Sequence, residues 1–362
     1  MSGSDANTCL VYPALLHGFV QSLFAHAGMP EDDASKVASN LVEANLRGTD
    51  THGVFRAPTY LKRLREGIVN PRPSIGVERT AVSAAGVDGD NGMGAVVAGR
   101  AVEEAVAIAR ETGVGLVSVR RSTHYGMAAH YVMQAMRQDF VAMAFTNASP
   151  AFPPWGGMRP FFGTSPLAVA VPAGSQHPFV LDMAMSVLAR GNVYVAAQAG
   201  HAIPPGLALD KDGLPTTDPR ALIDGGTMLP FGGVKGAALS MLMDIFGGVL
   251  SGAAFAGRVG NPHVDFDRPQ DVGHLFVCFR PDLFMPMQAF KDRMDELVDT
   301  MKNQPRAQGV DEILVPGERE TRSQTLRSRD GIPLSVDVVD ALNAEGRICG
   351  MADLAVHGTS NV

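Results

Sequence analysis

The chain has 362 residues, 46% hydrophobic and 19% charged, enough for two or three domains around a large core and too apolar for disorder. A formal net charge of −7, with no run of Lys and Arg, argues against a general nucleic-acid binder, which needs a concentrated basic face. Cys9, Cys278 and Cys349 form no CxxC pair or disulfide framework, which fits a reducing cytoplasm, and the histidines lack HxxxH spacing for a metal.

Met1 to Pro13 shows no basic region ahead of an apolar run, so no secretory signal is expected. Residues 13–47 read as helices. Leu15, Phe19, Leu23 and Phe24 keep helical spacing, and Pro30-Glu31-Asp32-Asp33 starts a second helix with acids in its first turn. A further helix is expected over about 53–66, stopped by Asn70-Pro71-Arg72-Pro73. Residues 75–90 read as short strands ending in Gly89-Asp90-Asn91-Gly92, followed by a helix over about 95–111. Val114–Val119 is an apolar strand, Ser122-Thr123-His124-Tyr125-Gly126 breaks it, and a helix resumes to about Arg137.

Val141–Phe145, Leu167–Val171 and Phe179–Asp182 read as strands, with a loop rich in Pro, Gly and aromatics over Pro150–Gly163. Ala189–Ala199 is ambiguous, and Pro204–Pro219 is turn-rich. A small-residue helix is expected over about Lys235–Leu250. Its apolar continuation to Phe255 is broken by Asp244 and glycines, short of the roughly 20 residues of a membrane span. A strand over Gly273–Phe279, a helix over Met285–Lys302, a strand at Ile313–Val315 with a turn, and a last helix over about 335–345 complete the reading. The mixture indicates an α/β or α+β protein.

The densest chemistry lies in Gly48 to Tyr60. His52, Arg56 and Tyr60 recur every four residues, a spacing that stacks them on one face of an α-helix. An imidazole, a guanidinium and a phenol so placed suit a small organic acid, because Arg grips a carboxylate with two parallel hydrogen bonds. A solvated helix face has the same spacing. His124 follows an apolar strand, where α/β proteins project reactive side chains, although a buried structural His is the plainer account. Asp90-Asn91-Gly92-Met93-Gly94 lacks the third glycine of GxGxxG and reads as a turn entering a helix. Trp155-Gly156-Gly157 and Gly163-Thr164-Ser165-Pro166 could wall a cofactor site or form a rigid corner. Asp182 ends a strand and could accept ribose hydroxyls, orient a histidine or cap a helix. Leu229 to Gly236 resembles an anion-binding turn at a helix start, with Lys235 adding charge, but lacks Walker A spacing. Pro316-Gly317-Glu318-Arg319 is a ligand-facing turn or a surface hairpin.

In their joint order these segments resemble the malate/L-lactate dehydrogenase family, which also includes L-sulfolactate and ureidoglycolate dehydrogenases and Δ1-piperideine-2-carboxylate reductase. The resemblance covers about residues 10–345. It implies a mixed α/β fold that is not Rossmann. A largely antiparallel mixed sheet would hold NAD or NADP over residues 76–284, with a smaller inserted subdomain. A helical domain would form from both termini, residues 1–75 and 285–362.

The resemblance further implies a homodimer or larger assembly that binds a small carboxylate substrate, while composition and spacing point to the cytoplasm and to no metal, membrane or nucleic-acid partner. His124 matches the family's proton donor and acceptor. Thr51, His52, Arg56 and Tyr60 match the substrate pocket. His52, Gly126, Thr164, Asp182, Met183, Ala184, Lys235, Gly317 and Glu318 match cofactor contacts. The implied activity is hydride transfer between nicotinamide and a 2-hydroxy/2-oxo acid pair. The alternatives are a cyclic-imine reductase acting on Δ1-piperideine-2-carboxylate or Δ1-pyrroline-2-carboxylate and, more remotely, an inactive ligand-binding homologue. Two positions depart from the family pattern: Thr51 stands where Ser is usual, and Val234 where His is usual.

Overall fold

A seven-stranded sheet forms the centre of the molecule. Its strands are β1 (Gly76–Ala81), β2 (Ala84–Asp88), β3 (Val114–Ser122), β4 (Val141–Thr146), β5 (Leu167–Val171), β6 (Phe179–Met183) and β7 (Val272–Phe279). Their spatial order is β1-β2-β3-β7-β4-β5-β6. The computed structural model describes residues 8–360, except 189–192, 194, 195 and 198. The ambiguous segment 189–199 therefore lies largely outside the described residues.

Only β2 and β3 pair in parallel; the other neighbours are antiparallel. A parallel pair needs a crossover, and helix α4 (Gly94–Thr112) supplies it. The fold is thus a mixed α/β arrangement with a mostly antiparallel sheet, as the resemblance implied. α4 lies so close on β3 that a Cβ on Gly115 would sit 2.0 Å from the Ala105 carbonyl oxygen, so only glycine fits there. Val97, Ala101, Ala105 and Ile108 of α4 pack with Val117 and Val119 of β3 in one core. The same core takes Tyr131 and Val132 from α5 (Ala129–Met136) and Phe276 from β7.

Both ends of the chain build a second core. It joins Leu16, Leu23 and Phe24 of α1 (Pro13–His26), Leu41 of α2 (Glu31–Leu46), and Leu61 of α3 (Ala57–Arg65) to Ile332 and Leu342. The strand Thr8–Val11 pairs antiparallel with Ile332–Ser335 and with Gly358–Ser360, tying the ends together. A third core joins Met185, Met228 and Met243, from the excursion between β6 and β7, to Phe152 and Phe162 from the loop between β4 and β5.

The structure corrects three sequence expectations. Residues 53–66 are not one helix: two 3-10 turns, Asp50–His52 and Val54–Arg56, precede α3. Gly53 separates them with an extended backbone and packs against the Asn45 amide, leaving no room for a Cβ. The helix after Gly233 is α6 (Val234–Asp244), continued by a π-helical turn over Ile245–Val249. There Gly247 and Gly248 press against Asn147, and Gly247 also against the Gly273 carbonyl. Residues 313–315 pair with no strand. Instead α7 (Met287–Lys302) is followed, after a turn, by a helix that periodicity missed, α8 (Glu318–Asp330), and then by α9 (Val336–Ile348). α8 has almost no apolar stripe, so it is held by polar contacts rather than by a hydrophobic face.

Candidate functional site

His124 sits in the loop between β3 and α5, and several side chains pin that loop. Thr123 Oγ1 accepts from the Gly94 amide at 2.8 Å. Asn40 accepts from the Met127 amide at 3.3 Å and donates to Tyr131 Oη at 3.3 Å. Gly126 has φ +76 and lies where a Cβ would strike Asn40, so its glycine is required twice over. Gln270, buried, accepts from the His124 amide at 3.2 Å.

The imidazole meets Tyr60 from α3. Tyr60 Oη lies 2.5 Å from His124 Nδ1, and the Gly126 amide donates to the same nitrogen at 3.3 Å. A backbone N–H can only donate, so the Gly126 contact favours a neutral ring with its hydrogen on Nε2. The Tyr60 hydroxyl can also accept, so the tautomer with its hydrogen on Nδ1 exchanges the Gly126 contact for a bond to Tyr60 Oη. Nε2 has no hydrogen-bond partner among the described residues. His52 stacks on His124 with ring centroids 5.6 Å apart and planes 18° apart. Burial first, then the Arg56 charge and neighbouring His52, His263 and His274, hold His124 well below the ordinary histidine value. Burial and Arg56 likewise bring His52 down to about 4, and burial pushes the Tyr60 phenol up to about 12.

Arg56 reaches this cluster from the turn rather than from a helix face. Its Nε donates to the Thr51 carbonyl at 2.7 Å, and Nη1 meets His263 Nε2 at 2.9 Å. A side-on grip through Nε is therefore already taken. An incoming carboxylate would use the Nη groups and compete with His263. Thr51 Oγ1 lies 3.2 Å from His52 Nδ1, so the hydroxyl that Thr shares with Ser touches the neighbouring ring, and the added methyl is what distinguishes this position.

A second group of expected residues gathers along β6. Asp182 Oδ2 accepts from the Ala129 amide at 2.8 Å, so this carboxylate caps α5, the helix that follows the His124 loop. Its side chain is exposed, yet protein crowds its other sides. This desolvation, offset in part by the Ala129 and Ala128 amides, raises the carboxyl to about 6. Met183 pairs with Leu167 at the end of β6, Ala184 is exposed, and the Thr164 carbonyl accepts from the Met185 amide at 2.8 Å.

The Phe231 amide donates to the Met185 carbonyl at 3.1 Å, which ties the turn before Lys235 to the same strand end. Lys235 is exposed in the first turn of α6. Gly317 (φ +93) lies against Val180, whose amide donates to the Pro316 carbonyl at 2.9 Å. Glu318 does not join them. Its carboxylate is taken by Lys302 at 2.7 Å, Arg322 at 2.7 Å and the Val315 amide at 3.1 Å. Burial alone would raise this carboxyl, but these donors outweigh it and hold it at about 2.

Sequence reasoning missed three contributors. Gln270 and His263 lie in a loop without periodicity, and nothing in the local sequence marks them. Arg327 of α8 is the third. Its guanidinium donates to Asp50 Oδ1 at 2.6 Å and Oδ2 at 3.1 Å, while Asn45 Nδ2 also donates to Asp50 at 2.6 Å. That clamp holds the turn bearing Thr51, His52 and Arg56. His274 belongs to the fold instead. It is buried, bonded to Ser122 at 2.8 Å and Thr146 at 2.7 Å, and stacked on Tyr125. Among the described residues no group of three His, Cys, Asp or Glu side chains is placed to hold a metal ion.

A family model described as malate/L-lactate dehydrogenase matches residues 11–343. L-sulfolactate dehydrogenase of Methanocaldococcus jannaschii is 38% identical over 91% of this chain and 93% of its own. Its solved structure superposes with a TM-score of 0.90 at 36% identity, covering 94% of this chain and 98% of that one. Malate dehydrogenase of Pyrococcus abyssi is 36% identical over 97% of this chain and 98% of its own. Two further relatives carry a cofactor in their names, ureidoglycolate dehydrogenase (NAD(+)) of Escherichia coli and (2R)-3-sulfolactate dehydrogenase (NADP(+)) of Chromohalobacter salexigens. The antiparallel mixed sheet, the two-ended helical core and the full-length match agree: this chain belongs to the malate/L-lactate dehydrogenase family of oxidoreductases.

Proposed function

We infer that this protein is an NAD- or NADP-dependent oxidoreductase that interconverts a small 2-hydroxy acid and its 2-oxo acid. The observation that carries the reading is the convergence of Tyr60, His52 and the Arg56 turn on a His124 ring whose Nε2 is left without a partner. The residues along β6 suit a dinucleotide. Asp182 bonds the α5 amides and still offers an exposed carboxylate for hydroxyls, and Lys235 is exposed and forms no ion pair among the described residues.

When bound, the reduced nicotinamide would supply the hydride for reduction and its oxidised form would accept the hydride in oxidation. Arg56 holds the substrate carboxylate. The His124 ring protonated on both nitrogens gives its Nε2 proton to the oxygen as the carbonyl becomes an alcohol. This leaves the hydrogen on Nδ1 toward Tyr60 Oη, and that neutral tautomer takes the proton back at Nε2 in the reverse direction. Tyr60 holds the His124 ring at Nδ1, while Thr51 and His52 flank the substrate. Asp182, Met183, Ala184, Thr164, Gly126, His52, Lys235 and Gly317 are the candidate cofactor contacts. Division into a helical unit from both termini and a cofactor-binding unit over 76–284, and assembly as a homodimer, belong to the same proposal.

The test is a panel of pyruvate, oxaloacetate, 2-oxoglutarate and cyclic imines with NADH and NADPH. Turnover of a 2-oxo acid that His124→Ala abolishes is the expected result. Turnover of cyclic imines alone, or no nicotinamide binding at all, overturns the reading.

A further inference from the structure

Gln270, which accepts from the His124 amide, also lines a surface cleft of about 560 Å³. Its walls carry three guanidinium groups, Arg121, Arg258 and Arg268, together with Asn91, Gln270 and Asp271. Two of the guanidiniums are balanced nearby: Arg121 pairs with Asp88 at 3.0 Å and Asp90 at 2.9 Å, and Arg268 pairs with Asp265 at 2.8 Å. Arg258 is not. It is exposed, lies over the Phe255 ring at 4.3 Å, and forms no ion pair among the described residues. Asp244, the acid that feels its charge, is bonded to the Ala256 amide at 2.9 Å.

The cleft also contains unmet acceptors. Asn91 Oδ1 and Asp271 Oδ1 are buried oxygens without a hydrogen-bond partner. A buried polar atom without a partner carries a desolvation cost that a bound group can remove. Asn91, Arg121 and Asp271 all adopt left-handed backbone at φ +55, +53 and +51, uncommon for residues other than glycine. The wall thus presents an exposed guanidinium whose Nε is bonded to the Phe255 carbonyl at 3.1 Å and whose Nη groups form no ion pair among the described residues, while the two bare acceptors lie buried behind it.

We propose that this arginine cleft is a second ligand site that takes a small hydroxylated anion, its charged head on Arg258 and its hydroxyls met by Asn91 and Asp271 as those side chains turn their bare oxygens outward. The head is a phosphate or a carboxylate, because a guanidinium forks onto either. Gln270 belongs to the wall and also holds the His124 amide, so occupancy of the cleft is felt at the proposed active site. That coupling rests on the function proposed above, whereas binding does not.

Calorimetry with the full-length protein separates the possibilities, using inorganic phosphate, glycerol 3-phosphate, D-glycerate and glycerol as probes. Saturable binding of glycerol 3-phosphate or D-glycerate is expected, with a Kd below about 10 mM. Whichever of the two binds more tightly identifies the head group. Glycerol alone should not bind, and inorganic phosphate should bind more weakly than its glycerol ester. Arg258→Gln, an exposed change outside the proposed machinery, should weaken binding about tenfold and leave basal turnover unchanged. The bound probe should also shift the KM of the 2-oxo acid in the parent and not in Arg258→Gln.

Three outcomes overturn the site. One is no saturable heat with any probe, and another is equal binding by Arg258→Gln. The third is simple competition between probe and 2-oxo acid, which would make the cleft part of the substrate pocket. Binding without any kinetic effect would keep the site and remove the link through Gln270.

Discussion

Tyr60 Oη lies 2.5 Å from His124 Nδ1, joining the helical layer built by the chain ends to the loop that leaves the central sheet. The two residues are 64 positions apart in sequence and share one hydrogen bond. Tyr60→Phe keeps the ring packing and deletes that bond. A single hydrogen bond contributes about 0.5–1.5 kcal/mol, so turnover should fall about 3- to 10-fold. Steady-state kinetics on the best 2-oxo acid would measure it, and unchanged turnover would show that the contact only packs.

Removing the imidazole itself should cost more. General acid–base groups contribute about 10²–10⁴-fold, so His124→Ala should lower kcat by that order and leave cofactor binding nearly intact. Fluorescence titration with NADH or NADPH alongside turnover separates the two. A few-fold loss would remove His124 from the chemistry.

The pH profile has a definite sign. Burial and the Arg56 charge keep His124 well below its ordinary value of 6.5, so the ring is neutral at and above pH 7. Oxidation of a hydroxy acid needs the neutral ring as base. Its kcat/KM should therefore stay flat from pH 7 upward and fall only in acid. Reduction needs the protonated ring, and its kcat/KM should drop about tenfold per pH unit above the His124 value. Arg56→Gln removes one of the depressing charges and should move the acid limb upward. A parent limb at pH 6.5 contradicts the depressed value.

Asp182 stores the opposite dependence. Its carboxyl is raised to about 6 against an ordinary 3.8, so ionisation disfavours the folded state above pH 6, and acidification toward pH 4 relieves it. Asp182→Asn keeps an acceptor for Ala129 and removes the charge. The variant should melt slightly higher than the parent at pH 8, with the gap closing toward pH 4, while its cofactor KM rises. Melting curves across that range check the first part. A variant less stable at pH 8 would mean that the cap outweighs the charge.

Arg327 and Glu318 divide position from stability on one helix. Arg327→Gln frees Asp50 and loosens the turn carrying Arg56, so KM for the acid should rise about 3- to 10-fold with a smaller change in kcat. Its effect on stability should stay near 0–1 kcal/mol, because Asp50 is half-exposed. Glu318→Gln should show the converse. Two cations lose their shared partner, unfolding free energy drops by about 1–2 kcal/mol, and cofactor KM stays put. Denaturant melts and KM values for both variants would expose a reversal.

Much was determined by local sequence. The spacing of apolar residues in α1, α2, α4 and α7, and the apolar runs of β3 to β7, specify those elements because each buries a face at its own period. The order of short motifs along the chain was enough to indicate the family. What local pattern could not carry was decided by contacts between distant segments. The even spacing of His52, Arg56 and Tyr60 suggested one helix, yet Gly53 against Asn45 splits it into turns. α8 left no periodic mark, because its register comes from Lys302, Arg322, Asp50 and the Leu46 carbonyl. Glu318 looked like a ligand contact until Lys302 folded back onto it. Gln270 and His263 reach the site only through a loop returning 146 and 139 residues after His124, and a hydrogen bond at such a separation has no local signature for a sequence to display.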